Sequence, residues 1–185
     1  MSNTIILIIV LVVILAIIAG VYNSLVALRN QVQNSRAQID VQLKRRHDLI
    51  PNLLEAVKGY MAHEANTLEN IVKLRQQAIN VTGSDAKVVA EVENQLSSAL
   101  KSLFALSENY PDLKASQNFS QFQEELASTE NKISFARQFY NDSVLNYNNK
   151  IQMFPSNIIA GIFNFTQTSF FEASDDEKEN PQVKF

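Results

Sequence analysis

The sequence predicts an all-α protein in which an N-terminal transmembrane helix continues into an up-down antiparallel four-helix bundle, followed by a short C-terminal helix. Three observations predict this fold. The N-terminus carries an uncharged apolar run, and apolar residues in the body repeat at helical spacing over long stretches. Helix breakers are scarce, because the 185 residues include only four glycines and four prolines.

The apolar run extends from Ile5 to Val21, and Tyr22 can lengthen it as an interfacial aromatic residue. A helix needs about 20 apolar residues to cross the hydrocarbon core of a bilayer. The first four residues lack the basic side chains of a cleavable signal peptide, and cleavage after Ala19 would leave bulky Ile17 where a small residue is preferred. We therefore expect an uncleaved anchor, represented by Ile5, Leu7, Val10, Leu15, Ala16, Gly20 and Tyr22.

Basic residues follow this anchor and none precedes it. Arg29 and Arg36 come first, and the basic run 44–46 lies further along. Under the positive-inside rule this asymmetry places the N-terminus outside and the body in the cytoplasm. The lipid bilayer is thus the first expected partner. Ala16 and Gly20, four residues apart, would let two anchor helices approach closely, which is a weak signal for a homo-oligomer.

The body helices are predicted from apolar residues three or four apart. No breaker separates the anchor from the first body helix. Pro51 favours a tight turn at Leu49–Ile50 between antiparallel helices, and one long kinked helix is the alternative. The apolar faces of the first and second body helices are Leu25, Leu28, Val32, Ile39 and Leu43, then Leu54, Val57, Met61, Ala65, Leu68, Val72 and Ile79.

Turn residues separate the remaining helices. Gly83 fits the C-cap of the second helix, and Ser84 or Asp85 can cap the third. Pro111 ends the third helix, and Asp112–Gln117 reads as a linker. The third helix presents Val89, Val92, Leu96, Ala99, Leu103, Leu106 and Tyr110, and the fourth presents Phe119, Phe122, Leu126, Thr129, Ile133, Ala136, Tyr140, Val144 or Ser143, Tyr147 and Ile151. Such heptad spacing predicts left-handed, coiled-coil-like packing.

We divide the chain into an anchor at 1–21, a bundle at 22–152, an apolar aromatic segment at 153–172 and an acidic polar tail at 173–185. The tail is expected to be disordered unless a partner orders it. The aromatic segment must be covered, and it could lie in the membrane interface, cover the base of the bundle or pack on another subunit. Its members are Phe154, Ile158, Ile159, Ile162, Phe163, Phe165, Phe170 and Phe171.

Several short motifs follow one another along the chain in a distinctive order. The motifs are 22–26 (YNSLV), 38–53 (QIDVQLKRRHDLIPNL), 57–60 (VKGY), 63–64 (HE), 110–113 (YPDL), 118–119 (NF), 129–130 (TE), 136–137 (AR), 140–141 and 147–148 (YN), 154–155 (FP) and 170–172 (FFE). In these motifs the chain resembles the LemA family of bacterial membrane-anchored helical proteins. The resemblance implies a single-span protein of the bacterial inner membrane with a four-helix body and no established catalytic chemistry. A tryptophan often seen in the first body helix of the family is missing here.

The residues themselves indicate no catalytic, metal or cofactor site. Neither His47 nor His63 belongs to a Glu-x-x-His or His-Glu-x-x-His pattern, so both are expected to be surface or cap residues. The chain has no cysteine, no Gly-x-Ser-x-Gly and no glycine-rich phosphate loop. A net charge of −3 gives no general basic field for nucleic acid.

Polar residues of the body have two interpretations. The run Lys44, Arg45 and Arg46 is either a solvated helix end or a contact surface for an unidentified protein partner. Charged residues elsewhere could pair between helices and fix their register. We expect Tyr140 and Tyr147, seven residues apart, to pack in the core rather than line a ligand pocket. The residues considered for pairing are Asp40, Arg75, Glu130 and Arg137.

A long bundle without recognisable chemistry favours a self-associating structural or assembly protein of the cell envelope. The main alternative is a membrane-tethered adaptor that recruits another protein through its bundle. A ligand-binding or enzymatic bundle is the remote alternative.

Overall fold

The computed structural model of the protein describes residues 2–171, and this range is helical without strands. The prediction of an all-α protein is therefore confirmed for this part of the chain. The helices are α1 (Ser2–Lys58), α2 (Ala65–Asn80), α3 (Ala86–Ser107), α4 (Pro111–Lys114), α5 (Gln117–Gln152) and α6 (Ser156–Ile162).

Helix α1 passes through Pro51 without ending. The predicted turn at Leu49–Ile50 is wrong, and the alternative of a single long helix is correct. Proline has no N–H, so the carbonyl of His47, four residues earlier, loses its helical partner. Arg75 Nε in α2 donates a hydrogen bond to that carbonyl over 2.7 Å. A side chain from a neighbouring helix thus supplies the hydrogen bond that Pro51 removes.

The connection between the first two helices lies at residues 59–64 instead. α1 ends at Lys58, and α2 begins at Ala65. Backbone hydrogen bonds from Met61 N to Val57 O and from Glu64 N to Met61 O hold the connection together. The helix predicted to begin at Pro51 is therefore divided between the end of α1 and the whole of α2.

The predicted helix ends are partly correct. Asp85 caps α3, because its Oδ1 accepts a hydrogen bond from the backbone N–H of Lys87 at 2.9 Å. The C-cap of α2 is Val81 rather than Gly83, and Gly83 instead supplies a positive φ of 87° in the following turn. The predicted linker after Pro111 contains the short helix α4, with Pro111 in its first turn.

The chain forms two compact units. Of the described residues, the first contains 2–36 and 139–168, and the second contains Ala37–Gln138 and 169–171. A buried core in the second unit draws on α1 to α5; its members are Ile50, Leu53, Val57, Met61, Ile71, Leu74, Ala78, Leu96, Leu100, Leu103, Leu113, Phe119 and Leu126. The predicted divisions at residues 21, 152 and 172 stay predictions, and the tail at 173–185 lies outside the described residues.

Candidate functional site

Arg46 is a buried charged residue of the second unit, with a side chain that is 1% exposed. Its predicted place on a partner surface with Lys44 and Arg45 is therefore wrong. The three neighbours on α1 point in different directions, because consecutive helical residues are about 100° apart. Lys44 is exposed, and its Nζ forms an ion pair with Asp48 Oδ2 at 2.7 Å. Arg45 is also exposed, and its guanidinium lies 4.0 Å from Glu125 Oε2.

The Arg46 guanidinium bridges α3 and α5. One terminal nitrogen donates to Ser97 Oγ at 2.7 Å and to Glu130 Oε2 at 2.6 Å. The other donates to the carboxylate of Glu93 and lies 3.4 Å from the Glu93 carbonyl oxygen. Ser97 Oγ in turn donates to Glu130 Oε1 at 3.1 Å. The planar fork of arginine suits this arrangement, since it can reach several oxygens at once.

Glu93 is fully buried and has a second basic neighbour. His47 Nε2 lies 2.8 Å from Glu93 Oε1. Burial by itself raises the pKa of Glu93, but the hydrogen bond from His47 and the positive charge of Arg46 outweigh burial. The pKa of Glu93 therefore falls below its ordinary value of 4.5, and its carboxylate stays ionised at neutral pH.

We call five residues the buried polar cluster: Arg46, His47 and Glu93, which are buried, and Ser97 and Glu130, which are half-buried. The expectation of a surface or cap residue is wrong for His47, which is buried, and right for His63, which is exposed. The hydrogen bond of Arg75 to the His47 carbonyl adds α2 to the cluster. Four helices, α1, α2, α3 and α5, thus meet through polar contacts at one level of the second unit.

The charged side chains of the cluster pair with one another, and a buried charge without its partner would be costly. A cavity of about 350 Å³ is lined by Arg46, Ser97 and Glu130 together with the apolar Leu100 and Leu126. Among the described residues, no group of three or more His, Cys, Asp or Glu side chains could hold a metal ion.

Of the four residues predicted to pair between helices, Glu130 meets Arg46 and Arg75 meets the backbone of His47. Arg137 donates to Asn94 Oδ1 of α3 at 3.1 Å, and its guanidinium also lies 4.8 Å from the centre of the Phe171 ring. Asp40 is a lining residue of another cavity in the second unit. The prediction of polar links between helices is therefore correct in kind, with partners that spacing alone did not give.

Glu93 is the important residue that sequence reasoning missed. The predicted face of α3 shares Val89, Leu96 and Leu103 with the buried face, whereas its members Val92, Ala99 and Leu106 are only half-buried. The buried face also includes Glu93, Leu100 and Ser107. From Val89 to Ser107 these six buried positions alternate steps of four and three, so a signal was present: a lone acidic residue in a heptad seam marks a buried partner.

In the first unit, the predicted anchor residues form the start of α1. The apolar side chains from Ile5 to Leu15 are 47–67% exposed, and this is a helix long and apolar enough to cross a membrane. Tyr22 is half-buried, and its ring lies 4.8 Å from that of Phe163 and 5.8 Å from that of Phe165. Tyr140 and Tyr147 are buried, as predicted for core tyrosines.

The aromatic C-terminal segment divides between buried and exposed residues. Ile159 is buried in the first unit, and Phe171 is buried in the second. Phe165 is half-buried, and the Arg29 guanidinium lies 5.2 Å from the centre of its ring. The exposed members of the segment are Phe154, Ile158, Ile162, Phe163 and Phe170.

Comparison with known proteins identifies the family. The model of the LemA family matches residues 35–185. Protein LemA of Metamycoplasma hominis is 30% identical over 156 residues, which cover 84% of this chain and 71% of the relative. Magnetosome protein MamQ of Magnetospirillum gryphiswaldense is 22% identical, with 88% of this chain and 70% of the relative covered. Magnetosome protein MamQ 2 of Paramagnetospirillum magneticum is also 22% identical, with coverages of 82% and 64%. The family match spans most of the chain and includes every residue of the buried polar cluster, so this protein belongs to the LemA family.

Proposed function

We propose that the chain is a non-enzymatic, single-pass membrane protein that self-associates and acts as a structural or assembly protein of the bacterial cell envelope. One observation carries the proposal. A single helix, α1, begins with the exposed apolar run from Ile5 to Val21 and also supplies the buried core residues Ile39, Ile50 and Leu53. The element that would enter the bilayer is therefore part of the folded body.

The physical case for membrane anchoring is the exposure of this run. Each buried CH₂ group contributes about 0.8 kcal/mol when it leaves water, and none of the apolar window is buried in the protein. At 1.5 Å per residue the run is about 25 Å long, and Tyr22 at its end suits the interface. A bilayer removes this surface from water without breaking backbone hydrogen bonds.

The body is proposed to be an antiparallel four-helix bundle made of the second half of α1 with α2, α3 and α5. Support comes from the buried polar cluster, which touches all four helices, and from the shared core. Such a bundle, whose buried charges pair with one another, suits a structural role, because these charges define register rather than bind substrate.

Self-association is proposed to begin in the anchor. Ala16 and Gly20 lie on one face of α1, and nothing lies within 4 Å of the position that a Gly20 Cβ would occupy. A second helix could therefore approach closely there. Size measurement of the full chain in mild detergent tests this: we expect a dimer or larger species that Gly20→Leu shifts towards monomer. Ile18→Leu, on another face, should leave the size unchanged. A monomer at all concentrations would overturn self-association.

The proposed location is the inner membrane, with the N-terminus outside and the body in the cytoplasm, because Arg29 and Arg36 follow the span. Protease added to intact cells should leave the body undigested, and digestion after the membrane is opened serves as the control. Digestion of the body in intact cells would reverse the orientation.

An adaptor function is the second candidate, and an apolar groove favours it. The end of α1 and α2 border a cavity of about 920 Å³. Its lining includes the apolar Leu54, Met61, Leu68 and Val72, the basic Lys58, Lys73 and Arg75, and the acidic Glu55 and Glu69. The occupant would be an amphipathic helix of another protein with an acidic polar face, matching the excess of basic residues in the lining.

Val72 is exposed, so Val72→Glu should leave the fold intact. The new negative charge in the apolar groove should abolish a chemical crosslink between the groove and the partner helix. Val88→Glu on α3, at a similarly exposed position, is the matched control and should preserve the crosslink. Equal loss in both variants would contradict docking in the groove.

A further inference from the structure

The C-terminal part of the first unit exposes apolar side chains without any charged residue among them. From Ile151 to Thr168, where this unit ends, the sequence contains no Asp, Glu, Lys or Arg. Phe154 is 80% exposed and Ile162 is 65% exposed, and Ile158 and Phe163 are also exposed. A helix of a soluble protein normally turns such side chains inward and charged ones outward, so α6 presents the surface expected of an element with a non-aqueous neighbour.

Ring contacts place this surface at the end of the apolar run. Tyr22 directly follows Val21, the last residue of the run. Its ring contacts Phe163 at 4.8 Å and Phe165 at 5.8 Å. If the run spans a bilayer, Tyr22 lies at the interface, and the residues that touch it lie at the same depth.

Polar contacts hold the segment in this position. Ser156 Oγ donates to the backbone carbonyls of Lys150 and Met153 at the start of α6. After α6, the Asn148 side chain donates to Thr168 O at 2.9 Å and accepts from Thr168 N at 3.0 Å. Both ends are therefore fastened to α5 or the turn that follows it, and the exposed apolar side chains are displayed by a fixed backbone.

The charges of the first unit favour an anionic membrane surface. Its described residues include the cations Arg29, Arg36 and Lys150 against the single anion Asp142. The guanidinium of Arg29 lies over the Phe165 ring, within the same aromatic group. Basic residues close to a membrane are attracted by anionic phospholipids, and an aromatic residue beside them suits the interface.

We propose that Phe154–Phe165 is a second membrane contact, in which α6 lies in the interface of an anionic phospholipid bilayer with Phe154, Ile158 and Ile162 inserted among the lipids. This inference rests on the proposed membrane anchor. An interfacial helix buries its apolar face about 5–10 Å into the headgroup and acyl boundary. The protein would then contact the membrane twice: the anchor would cross the bilayer, and α6 would lie along the surface of one leaflet.

The absence of tryptophan from the chain makes the test direct. Single-tryptophan variants of the full chain are reconstituted into vesicles of phosphatidylcholine and phosphatidylglycerol, with bromine atoms either near the carbonyl end or near the methyl end of the acyl chains. Ile162→Trp and Phe154→Trp report on the segment. Val13→Trp, in the middle of the apolar run, is the deep reference. Phe135→Trp in the second unit, where the native side chain is 70% exposed, is the aqueous reference.

We expect both segment tryptophans to be quenched more by shallow than by deep bromines, with the opposite order for Val13→Trp and no quenching for Phe135→Trp. Unquenched segment tryptophans beside a quenched Val13→Trp would overturn this inference and leave the anchor standing. An unquenched Val13→Trp would overturn the anchor itself. If the tryptophan emission shows shielding from water but bromine does not quench it, protein rather than lipid covers the segment, and the membrane contact is overturned. If that shielding also depends on the protein-to-lipid ratio, the covering protein is a second copy of the chain.

Discussion

The two compact units differ in where they place charged and apolar side chains. In the second unit the charges of Arg46 and Glu93 are buried, and a continuous apolar core lies around them. In the first unit the apolar side chains from Ile5 to Leu15 and those of Ile158 and Ile162 in α6 are exposed, and the segment from Ile151 to Thr168 has no charged residue. Each arrangement would be unfavourable in the surroundings that suit the other.

This difference shows how one chain can be built for two environments. A buried ion pair gives little net stability compared with an apolar replacement, but it penalises every register in which the pair is broken. Exposed apolar side chains act differently, because they lower the free energy of the protein only when something other than water covers them. The buried charges of the second unit therefore favour one arrangement of its helices, whereas the exposed apolar side chains of the first unit favour a non-aqueous neighbour.

The largest expected effect comes from breaking the buried pair. Arg46→Ala leaves Glu93 ionised, buried and without its main partner, which should lower the free energy of unfolding by about 3–5 kcal/mol. Arg45→Ala, on the neighbouring exposed position, should change it by less than about 0.5 kcal/mol. Denaturant titrations of the full chain in detergent, followed by circular dichroism, measure both.

A double variant separates a lost pair from lost packing. Replacing Arg46 and Glu93 together with Met should restore much of the stability lost by Arg46→Ala, since the fully buried carboxylate is removed with its partner and the side chain of Glu130, which is 42% exposed, can reach water. A double variant as unstable as the single one would mean that the cluster contributes mainly through its shape.

The next prediction compares the loss of stability on truncating a buried apolar side chain with the loss on truncating an exposed one. Leu103→Ala removes a fully buried side chain from the core of the second unit and should cost about 2–5 kcal/mol. Ile162→Ala removes an exposed one from α6 and should cost less than about 0.5 kcal/mol in detergent. A large loss for Ile162→Ala would mean that protein already covers this position and would remove the contrast between the units.

Much of this arrangement follows from sequence periodicity. On α5 the predicted positions from Phe119 to Ile151 are buried or half-buried throughout, because a strict heptad over so many turns leaves one face for the core. On α3 two nearly equivalent faces compete. Counting apolar residues favoured the face that includes Val92. The buried face of the helix includes Glu93 instead. Pattern alone could not choose, because the partners of Glu93 lie 46 and 47 residues earlier in the chain.

Pro51 shows the same limit for a helix boundary. Local rules favour a turn before proline, since the preceding residue avoids helical angles. The observed helix continues, with Ile50 and Leu53 buried on either side and Arg75 bonded to the carbonyl that proline leaves unpaired. That compensation comes from another helix and is invisible to a local rule. For the site, the sequence predicted polar contacts between helices, and only the fold could identify Arg46 as their centre.

A third prediction follows from that compensation. Arg75→Leu leaves the His47 carbonyl without a hydrogen bond and should cost about 1–3 kcal/mol. Pro51→Ala restores an N–H at the position that would bond to this carbonyl. In the Pro51→Ala background, Arg75→Leu should therefore cost clearly less, and a double-mutant cycle on unfolding free energies measures the difference. Equal costs in both backgrounds would show that Arg75 stabilises α2 by some other contact.

The smallest effect is a difference in acid sensitivity between the units. The pKa of Glu93 is below its ordinary value of 4.5 in the folded protein. Between the two pKa values the unfolded chain binds a proton that the folded chain does not, so stability rises with pH. The contribution of Glu93 is therefore complete above pH 4.5 and is lost as pH falls through the folded pKa, with a slope of at most about 1.4 kcal/mol per pH unit.

Glu93→Gln isolates this contribution from that of the other carboxylates. The variant should be less stable at neutral pH, and its stability should depend less steeply on pH below 4.5. Tryptophan placed at Phe135 reports on the second unit, and tryptophan at Ile162 reports on the first, whose described residues hold only Asp142 as an acidic side chain. Acid should therefore change the Phe135→Trp signal at a higher pH than the Ile162→Trp signal. Glu93→Gln should move the Phe135→Trp change to a still higher pH, because the variant lacks the stabilisation that ionised Glu93 provides. If both reporters respond together and Glu93→Gln changes neither, the buried charge does not set the acid response of the body.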